Sequence, residues 1–273
     1  MPFADNQGTR IYWDEEGTGA PVFLIMGLGY PSAMWHRTRP ALSASYRTIA
    51  LDNRGAGQSD VPPGPYSIAL MASDAAAVLD AAGVPSAHVL GVSMGGMIAQ
   101  EFALQYPGRV QSLILGCTAF GGPNIKRAEP AAVELLKARS SMTREQAAEA
   151  AIPFIYDTAT PRHLIDEDIA QRQPWPTSPA GYLAQLQAIL TWESFSRLPQ
   201  ITVPTLVIHG KADRLVPPAN AELIAARIPG AQLVLLEHAS HLFSTDQPRA
   251  AEKAIFEFLA SQPIHANAGE ERP

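Results

Sequence analysis

A serine flanked by glycines stands where an apolar run becomes a helical pattern. The segment Gly91-Val92-Ser93-Met94-Gly95 has the spacing G-x-S-x-G, and Gly96 follows directly. A serine that only caps a helix tolerates most neighbours, so these glycines need another explanation. A sharp turn from strand to helix explains them, because a Cβ on Gly91 or Gly95 would strike neighbouring backbone. The pattern predicts a strained turn that presents the hydroxyl of Ser93 as a nucleophile.

A serine hydroxyl is a weak nucleophile unless a base takes its proton and an acid orients that base. Two loops that each follow a buried apolar run supply candidates. Asp213 is the best-placed acid, while Glu237 and Asp246 are less well-placed alternatives. His238 and His241 are the candidate bases, and both follow the last apolar run. These residues point to acyl transfer through a serine, a histidine and a carboxylate.

An oxyanion formed in such a reaction needs backbone N–H donors. The turn Met26-Gly27-Leu28-Gly29-Tyr30 follows an apolar run, and its glycines allow close approach to a ligand. The helix after Ser93 directs further N–H groups and the positive end of its dipole at the reacting oxygen. We predict that the N–H groups of Leu28 and Met94 form the oxyanion hole.

Alternating strands and helices are needed to position these residues. Runs rich in valine, isoleucine and leucine are typical of strands buried on both faces, and one further run alternates as a half-exposed strand. These predicted strands cover residues 21–26, 47–51, 87–90, 110–115, 205–208 and 232–236, with 9–14 as the half-exposed one. The predicted helices between and after them cover residues 67–82, 94–106, 219–227 and 248–259. The alternation predicts an α/β fold with a mainly parallel sheet.

The alternation stops between residues 120 and 197, where no convincing strand appears. Four helical stretches separated by prolines cover residues 130–140, 144–156, 161–173 and 179–192. We therefore predict a core of residues 1–119 and 198–262 with an inserted helical cap, or lid, of residues 120–197. The polar tail 263–273 is expected to be disordered.

Composition excludes several classes of function. A net charge of −6 without a lysine or arginine cluster disfavours nucleic acid. The single cysteine, Cys117, permits no internal disulfide, and no segment resembles a secretory signal or a membrane span. We expect a cytoplasmic protein, a monomer or homodimer, that binds neither membrane nor nucleic acid. No ligand spacing predicts a metal, no glycine loop predicts a nucleotide cofactor, and His209 and Cys117 are expected to pack at strand ends.

The chain resembles the α/β-hydrolase superfamily, in the branch with a helical cap. Five segments match in order: Met26-Gly27-Leu28-Gly29, 52–60, Gly91–Gly96, 210–217 and Ser240-His241. The resemblance implies an eight-stranded, mostly parallel sheet with helices on both faces. It also implies Ser93 as nucleophile, Asp213 as acid and His241 as base. The chain departs from many relatives at Met26, where they carry histidine, and at Ser240, where they carry glycine.

The resemblance includes carboxylesterases, enol-lactone and other lactone hydrolases, C–C hydrolases and cofactor-free perhydrolases or haloperoxidases. The apolar, alanine-rich cap favours a carboxylesterase acting on small to medium uncharged acyl or aryl esters. A lactone carrying a carboxylate would need an arginine, and Arg127, Arg139 and Arg172 are unranked candidates. A receptor-like protein that binds its ligand without turnover is the non-enzymatic alternative. Three aromatic residues are predicted either to line the pocket or to pack the cap: Trp35, Phe120 and Trp192.

Overall fold

The structure, a computed structural model, describes residues 2–262. Its strands are β1 (Phe3–Asn6), β2 (Thr9–Glu16), β3 (Pro21–Ile25), β4 (Arg47–Leu51), β5 (Ala87–Val92), β6 (Val110–Gly116), β7 (Thr205–Gly210) and β8 (Gln232–Leu236). They form one sheet in the order β1-β2-β4-β3-β5-β6-β7-β8. The six strands from β4 to β8 in this order are parallel to one another. β2 is antiparallel to β4, and β1 is antiparallel to β2. The predicted fold class is confirmed.

Helices cover both faces of the sheet. Those of the first half are α1 (Arg39–Ser43), α2 (Ile68–Ala81) and α3 (Met94–Gln105). Between β6 and β7 lie α4 (Pro130–Ala138), α5 (Arg144–Ile155), α6 (Arg162–Arg172) and α7 (Pro179–Thr191). The last three are α8 (Ala219–Arg227), α9 (Phe243–Asp246) and α10 (Pro248–Ala260). The side chains that face the helices form two buried apolar clusters, one on each face of the sheet.

The strand and helix that flank Ser93 are buried almost throughout. Every residue of β5 is buried, as are the first ten residues of α3. A parallel strand between two other strands and under helices has no polar face, which explains its continuous apolar sequence. The rigidity of this surrounding core is what can hold a strained turn in place.

Helix α7 and the residues just before it are hydrogen-bonded directly to the turn after β3. The N–H of Gly29 donates to Oε1 of Gln185 over 2.8 Å, and Oγ1 of Thr177 donates to the Gly29 carbonyl over 2.7 Å. Nε2 of Gln185 also donates to the carbonyl of Arg54 over 2.8 Å. Because Gln185 is fully buried, these bonds fix α7 and the glycine turn relative to each other.

The tail predicted to be disordered, residues 263–273, lies outside the described residues. Within residues 2–262, none of the helices combines the length and apolar character required to cross a membrane. The cap boundaries at residues 120 and 197 stay a prediction, although all four helices expected there are present.

Candidate active site

Ser93 lies at the junction of β5 and α3 in a backbone conformation that residues other than glycine rarely adopt. Its φ is 58° and its ψ is −122°, and its N–H donates to the carbonyl of Gly116 over 2.8 Å. A Cβ on Gly91 would overlap the carbonyl of Gly95, and a Cβ on Gly95 would overlap the carbonyl of Ile25. The flanking glycines are therefore required by backbone packing, as the sequence pattern predicted.

The acid and base candidates meet at the carboxyl ends of β7 and β8. Nδ1 of His241 donates to Oδ2 of Asp213 over 2.8 Å, and both side chains are buried. Oδ1 of Asp213 accepts the N–H groups of Leu215 and Val216 over 2.9 and 2.7 Å. Since Nδ1 carries the proton, Nε2 of His241 is left as the basic nitrogen.

Asp213 is held in its charged form. Burial alone would raise the pKa of this carboxyl, but the charge of His241 and hydrogen bonds from His209 and His241 lower the pKa to about 2. His209 was expected to be a packing residue, yet its Nε2 lies 3.2 Å from Oδ2 of Asp213 and 2.8 Å from the carbonyl of Val216. His209 therefore helps to orient the acid, and only its position four residues before Asp213 could have indicated this.

The alternatives to Asp213 and His241 lie elsewhere. His238 is exposed, and Glu237 is exposed and paired with Lys211. Asp246 accepts hydrogen bonds from three groups instead of contacting either histidine. These groups are Ser240 N–H (2.6 Å), Asp157 N–H (3.2 Å) and Thr160 Oγ1 (2.6 Å). Asp246 thus connects the residue before His241 to the segment between α5 and α6.

Replacing Asp246 with asparagine is expected to stabilise the protein above pH 6. Burial raises the pKa of Asp246 to about 6, although its three hydrogen bonds oppose the shift. A folded-state pKa above the unfolded value means that stability falls as pH rises through about 6. An asparagine oxygen can accept both N–H groups, and its amide can donate to Thr160. We expect a gain of about 1 to 2 kcal/mol at pH 8, measured by urea unfolding, and a smaller gain at pH 5.

Asp246→Ala is the control for this prediction, because alanine removes both oxygens that accept the three hydrogen bonds. It should be less stable than the native protein at both pH values. An Asp246→Asn protein that loses as much stability as Asp246→Ala at pH 8 would contradict the argument.

A cavity of about 620 Å³ lies between the sheet and helices α4, α5 and α7, and Ser93 and His241 both line it. Leu28 and Met94, the predicted oxyanion donors, also line it. Met94 is the first residue of α3, so its N–H has no partner within the helix. The structure thus brings four of the predicted site residues to one cavity, with Asp213 behind His241. Their catalytic roles stay predictions.

The three aromatic pocket candidates do not line this cavity, which corrects that prediction. Trp35 is buried beside a separate void of about 20 Å³, which His241 also borders. Phe120 is fully buried and packs on Phe195, with ring centroids 4.8 Å apart. Nε1 of Trp192 donates to Glu101 over 2.7 Å. The apolar lining is instead mostly aliphatic: Met97, Ile125, Val133, Leu136, Ile155, Leu186, Ile189, Leu190, Leu215 and Val216.

Charged side chains also line the cavity, in contrast to the apolar, alanine-rich composition from which an uncharged substrate was predicted. Lys126, Arg127 and Arg139 contribute to its wall, and no aspartate or glutamate of residues 2–262 does. Lys126 and Arg127 are exposed, whereas Arg139 is half-buried. The cavity is therefore positively charged although the whole chain is negative.

One group of side chains in the described chain has the spacing of metal ligands. Ligand atoms of Cys117, His209 and Asp213 lie within 4.8 Å of one another. Each takes part in other contacts: Asp213 accepts hydrogen bonds through both oxygens, His209 Nε2 contacts the carbonyl of Val216, and Cys117 accepts the N–H of Gly210 over 3.5 Å. Burial raises the pKa of the Cys117 thiol, which disfavours the thiolate form that binds metals. The arrangement is that of a hydrogen-bonded core.

Comparisons with known proteins agree with this architecture. The model of the alpha/beta hydrolase family matches residues 22–254. A protein of Azorhizobium caulinodans named "Putative carbamate hydrolase RutD" is 33% identical over 262 residues, which is 94% of this chain and 98% of that protein. A poly(3-hydroxyalkanoate) depolymerase of Ectopseudomonas oleovorans is 31% identical over 89% of this chain and 85% of its own length.

A solved structure is similar over nearly the whole molecule. The enol-lactonase from Burkholderia xenovorans LB400 superposes with a TM-score of 0.84 at 27% identity, covering 95% of this chain and 100% of that one. The named activities of these proteins differ in their substrates, so the shared property is the hydrolase scaffold. The chain belongs to the alpha/beta hydrolase family.

Proposed function

We propose that the protein is a serine hydrolase of carboxylic esters, with Ser93 as nucleophile, His241 as base and Asp213 as orienting acid. The observation that carries this proposal is the His241–Asp213 hydrogen bond of 2.8 Å beside a cavity that Ser93 also lines. An oriented imidazole and a strained serine at a helix N-terminus are the parts that acyl transfer requires.

In the proposed reaction, Oγ of Ser93 attacks the ester carbonyl while Nε2 of His241 takes the hydroxyl proton. The N–H groups of Leu28 and Met94 donate to the oxyanion of the tetrahedral intermediate. The C–O bond to the alcohol then breaks, and the alcohol leaves with the proton from His241. Water, deprotonated by His241, attacks the acyl-enzyme and releases the acid and Ser93.

The proposal is tested by hydrolysis of 4-nitrophenyl esters from acetate to laurate, with a simple lactone and an aryl carbamate in the same panel. We expect ester turnover, and a chain-length profile that reports the size of the acyl site. Ser93 should displace 4-nitrophenolate from a 4-nitrophenyl alkylphosphonate, which should inactivate the enzyme and add the mass of the alkylphosphonyl group to the peptide that contains Ser93. Ser140→Ala is a matched control, since Ser140 lies outside the cavity that Ser93 lines, and should behave as the native protein.

Two results would contradict the proposal. One is the absence of turnover on every ester, with or without activity on the lactone or carbamate. The other is turnover without phosphonate labelling of Ser93, which would require a different nucleophile.

A further inference from the structure

Two half-buried arginines converge on one tyrosine at the cap side of the catalytic cavity. The guanidinium of Arg172 lies 4.8 Å from the ring centre of Tyr30, and its Nη1 donates to the phenol oxygen over 2.6 Å. The guanidinium of Arg139 lies 5.4 Å from the same ring and 5.6 Å from the ring of Tyr182. Two like charges are thus held close together, with aromatic faces as their neighbours.

Neither guanidinium forms an ion pair with a carboxylate in residues 2–262, although arginines elsewhere in this chain do. Arg54, for example, pairs with Asp74 over 2.6 Å. Half-buried charges usually have a partner of opposite sign, because removing them from water is costly. The charge of Asp168 also acts on Tyr30, but that carboxylate is paired with Arg37. The two arginines therefore leave the site around Tyr30 with a net positive charge.

The positive charge of the two arginines also affects the pKa of Tyr30. Burial alone would raise the pKa of this phenol, but the charges of Arg172 and Arg139 outweigh burial and lower it. A site that favours the anionic form of one of its own groups also favours an anionic ligand.

Arg139 is the arginine that a ligand in the catalytic cavity can reach. It lines that cavity and also a second cavity of about 780 Å³ in the cap, so it lies in the wall between them. Arg172 lines only the second cavity and is engaged with Tyr30. Arg127 lines the catalytic cavity but is exposed, where water screens its charge.

We propose that Arg139 binds a carboxylate carried by the substrate away from the scissile carbonyl, so that the enzyme prefers anionic esters or lactones to uncharged ones. The proposal rests on the proposed function and replaces the uncharged substrate expected from the apolar cap. A guanidinium binds a carboxylate through two parallel N–H donors, which fixes the substrate along the aliphatic wall. Arg139 is thus a specificity residue and takes no part in bond breaking.

The test compares substrates of equal shape that differ in charge. Mono-4-nitrophenyl adipate is paired with 4-nitrophenyl 6-methylheptanoate for the acyl side, and 4-carboxyphenyl butyrate with 4-carbamoylphenyl butyrate for the alcohol side. We expect kcat/KM of the native enzyme to favour the anionic member of one pair. In Arg139→Gln that preference should fall by about 10- to 100-fold, mainly through KM. Arg139→Lys should keep part of it, and 0.5 M salt should weaken it.

Arg144→Gln is the matched control, because Arg144 lines only the second cavity. Its preference should equal that of the native enzyme. An equal anionic-to-neutral ratio in native enzyme and Arg139→Gln, for both substrate pairs, would overturn the proposal and leave the esterase assignment intact.

Binding measured without turnover separates the two proposals. Calorimetry with the adipate monoester on Ser93→Ala and on Ser93→Ala/Arg139→Gln should show at least 10-fold weaker binding to the double variant. Equal affinities would overturn the role of Arg139 even if the native enzyme hydrolysed no ester. Absence of hydrolysis with a clear difference in affinity would contradict only the proposed reaction.

Discussion

Replacing Ser93 with glycine is expected to abolish turnover and at the same time to stabilise the fold. Loss of the nucleophile should lower kcat by at least about 10³-fold. At φ 58° and ψ −122°, a serine carries backbone strain of about 1 to 3 kcal/mol, which glycine does not. The greater freedom of glycine in the unfolded chain offsets about 0.5 to 1 kcal/mol of that gain. A net increase of about 1 kcal/mol in the free energy of unfolding is expected from guanidinium titration.

Ser93→Ala separates the two effects. Alanine removes the hydroxyl but keeps the Cβ, so turnover should be lost while the strain stays. Ser93→Gly should therefore be more stable than Ser93→Ala. If the two variants unfold at the same denaturant concentration, the turn stores no strain, and its geometry must have another cause.

A second large effect is expected from Gly95→Ala. The added Cβ would overlap the backbone carbonyls of Ile25 and Met26, and backbone atoms of a central strand cannot move aside cheaply. We expect a loss of at least about 3 kcal/mol in urea unfolding, or a failure to accumulate soluble protein.

Gly108→Ala provides the comparison, since a Cβ on Gly108 meets nothing within 4 Å. It should change stability by less than about 1 kcal/mol. Equal stabilities of the two alanine variants would mean that the junction of β5 and α3 can relax, and that its glycines are not required by packing.

Most of the framework could be predicted because burial and local pattern agree there. The predicted helix over 219–227 is the observed α8, and β5, buried throughout, follows its apolar run. The edges of the sheet were predicted less well. β1 was missed because FADN has neither an apolar run nor alternation, and it is held by long-range contacts, through pairing with β2 and hydrogen bonds from Asn6 to α2. β8 was expected to be buried on both faces, but as an edge strand it exposes Gln232 and Leu233.

Candidate site residues could be predicted where a local sequence motif contains them. They could not be predicted where tertiary packing decides which side chains face the cavity. Ser93 and the turn after β3 are defined by glycines within a few residues of each other in the sequence. The residues of the cavity wall follow no such sequence motif. An aromatic residue such as Trp192, for example, is as suitable for packing in the core as for lining a binding site. Gln185 and Asp246 are ordinary polar residues on helices until folding places them against Gly29 and Ser240. Only long-range contacts could identify them.

The hydrogen bonds between α7 and the glycine turn have a consequence for recombining parts of related enzymes. Exchanging the whole insertion for that of another hydrolase would remove Gln185 and Thr177, the partners of Gly29. It would also remove Gly181, whose missing Cβ admits the backbone of Gly55. A chimera that keeps 177–185 and exchanges only the segment before it should retain a correctly formed turn. In this scaffold, substrate range and turn geometry can be engineered separately only if the junction is placed before residue 177.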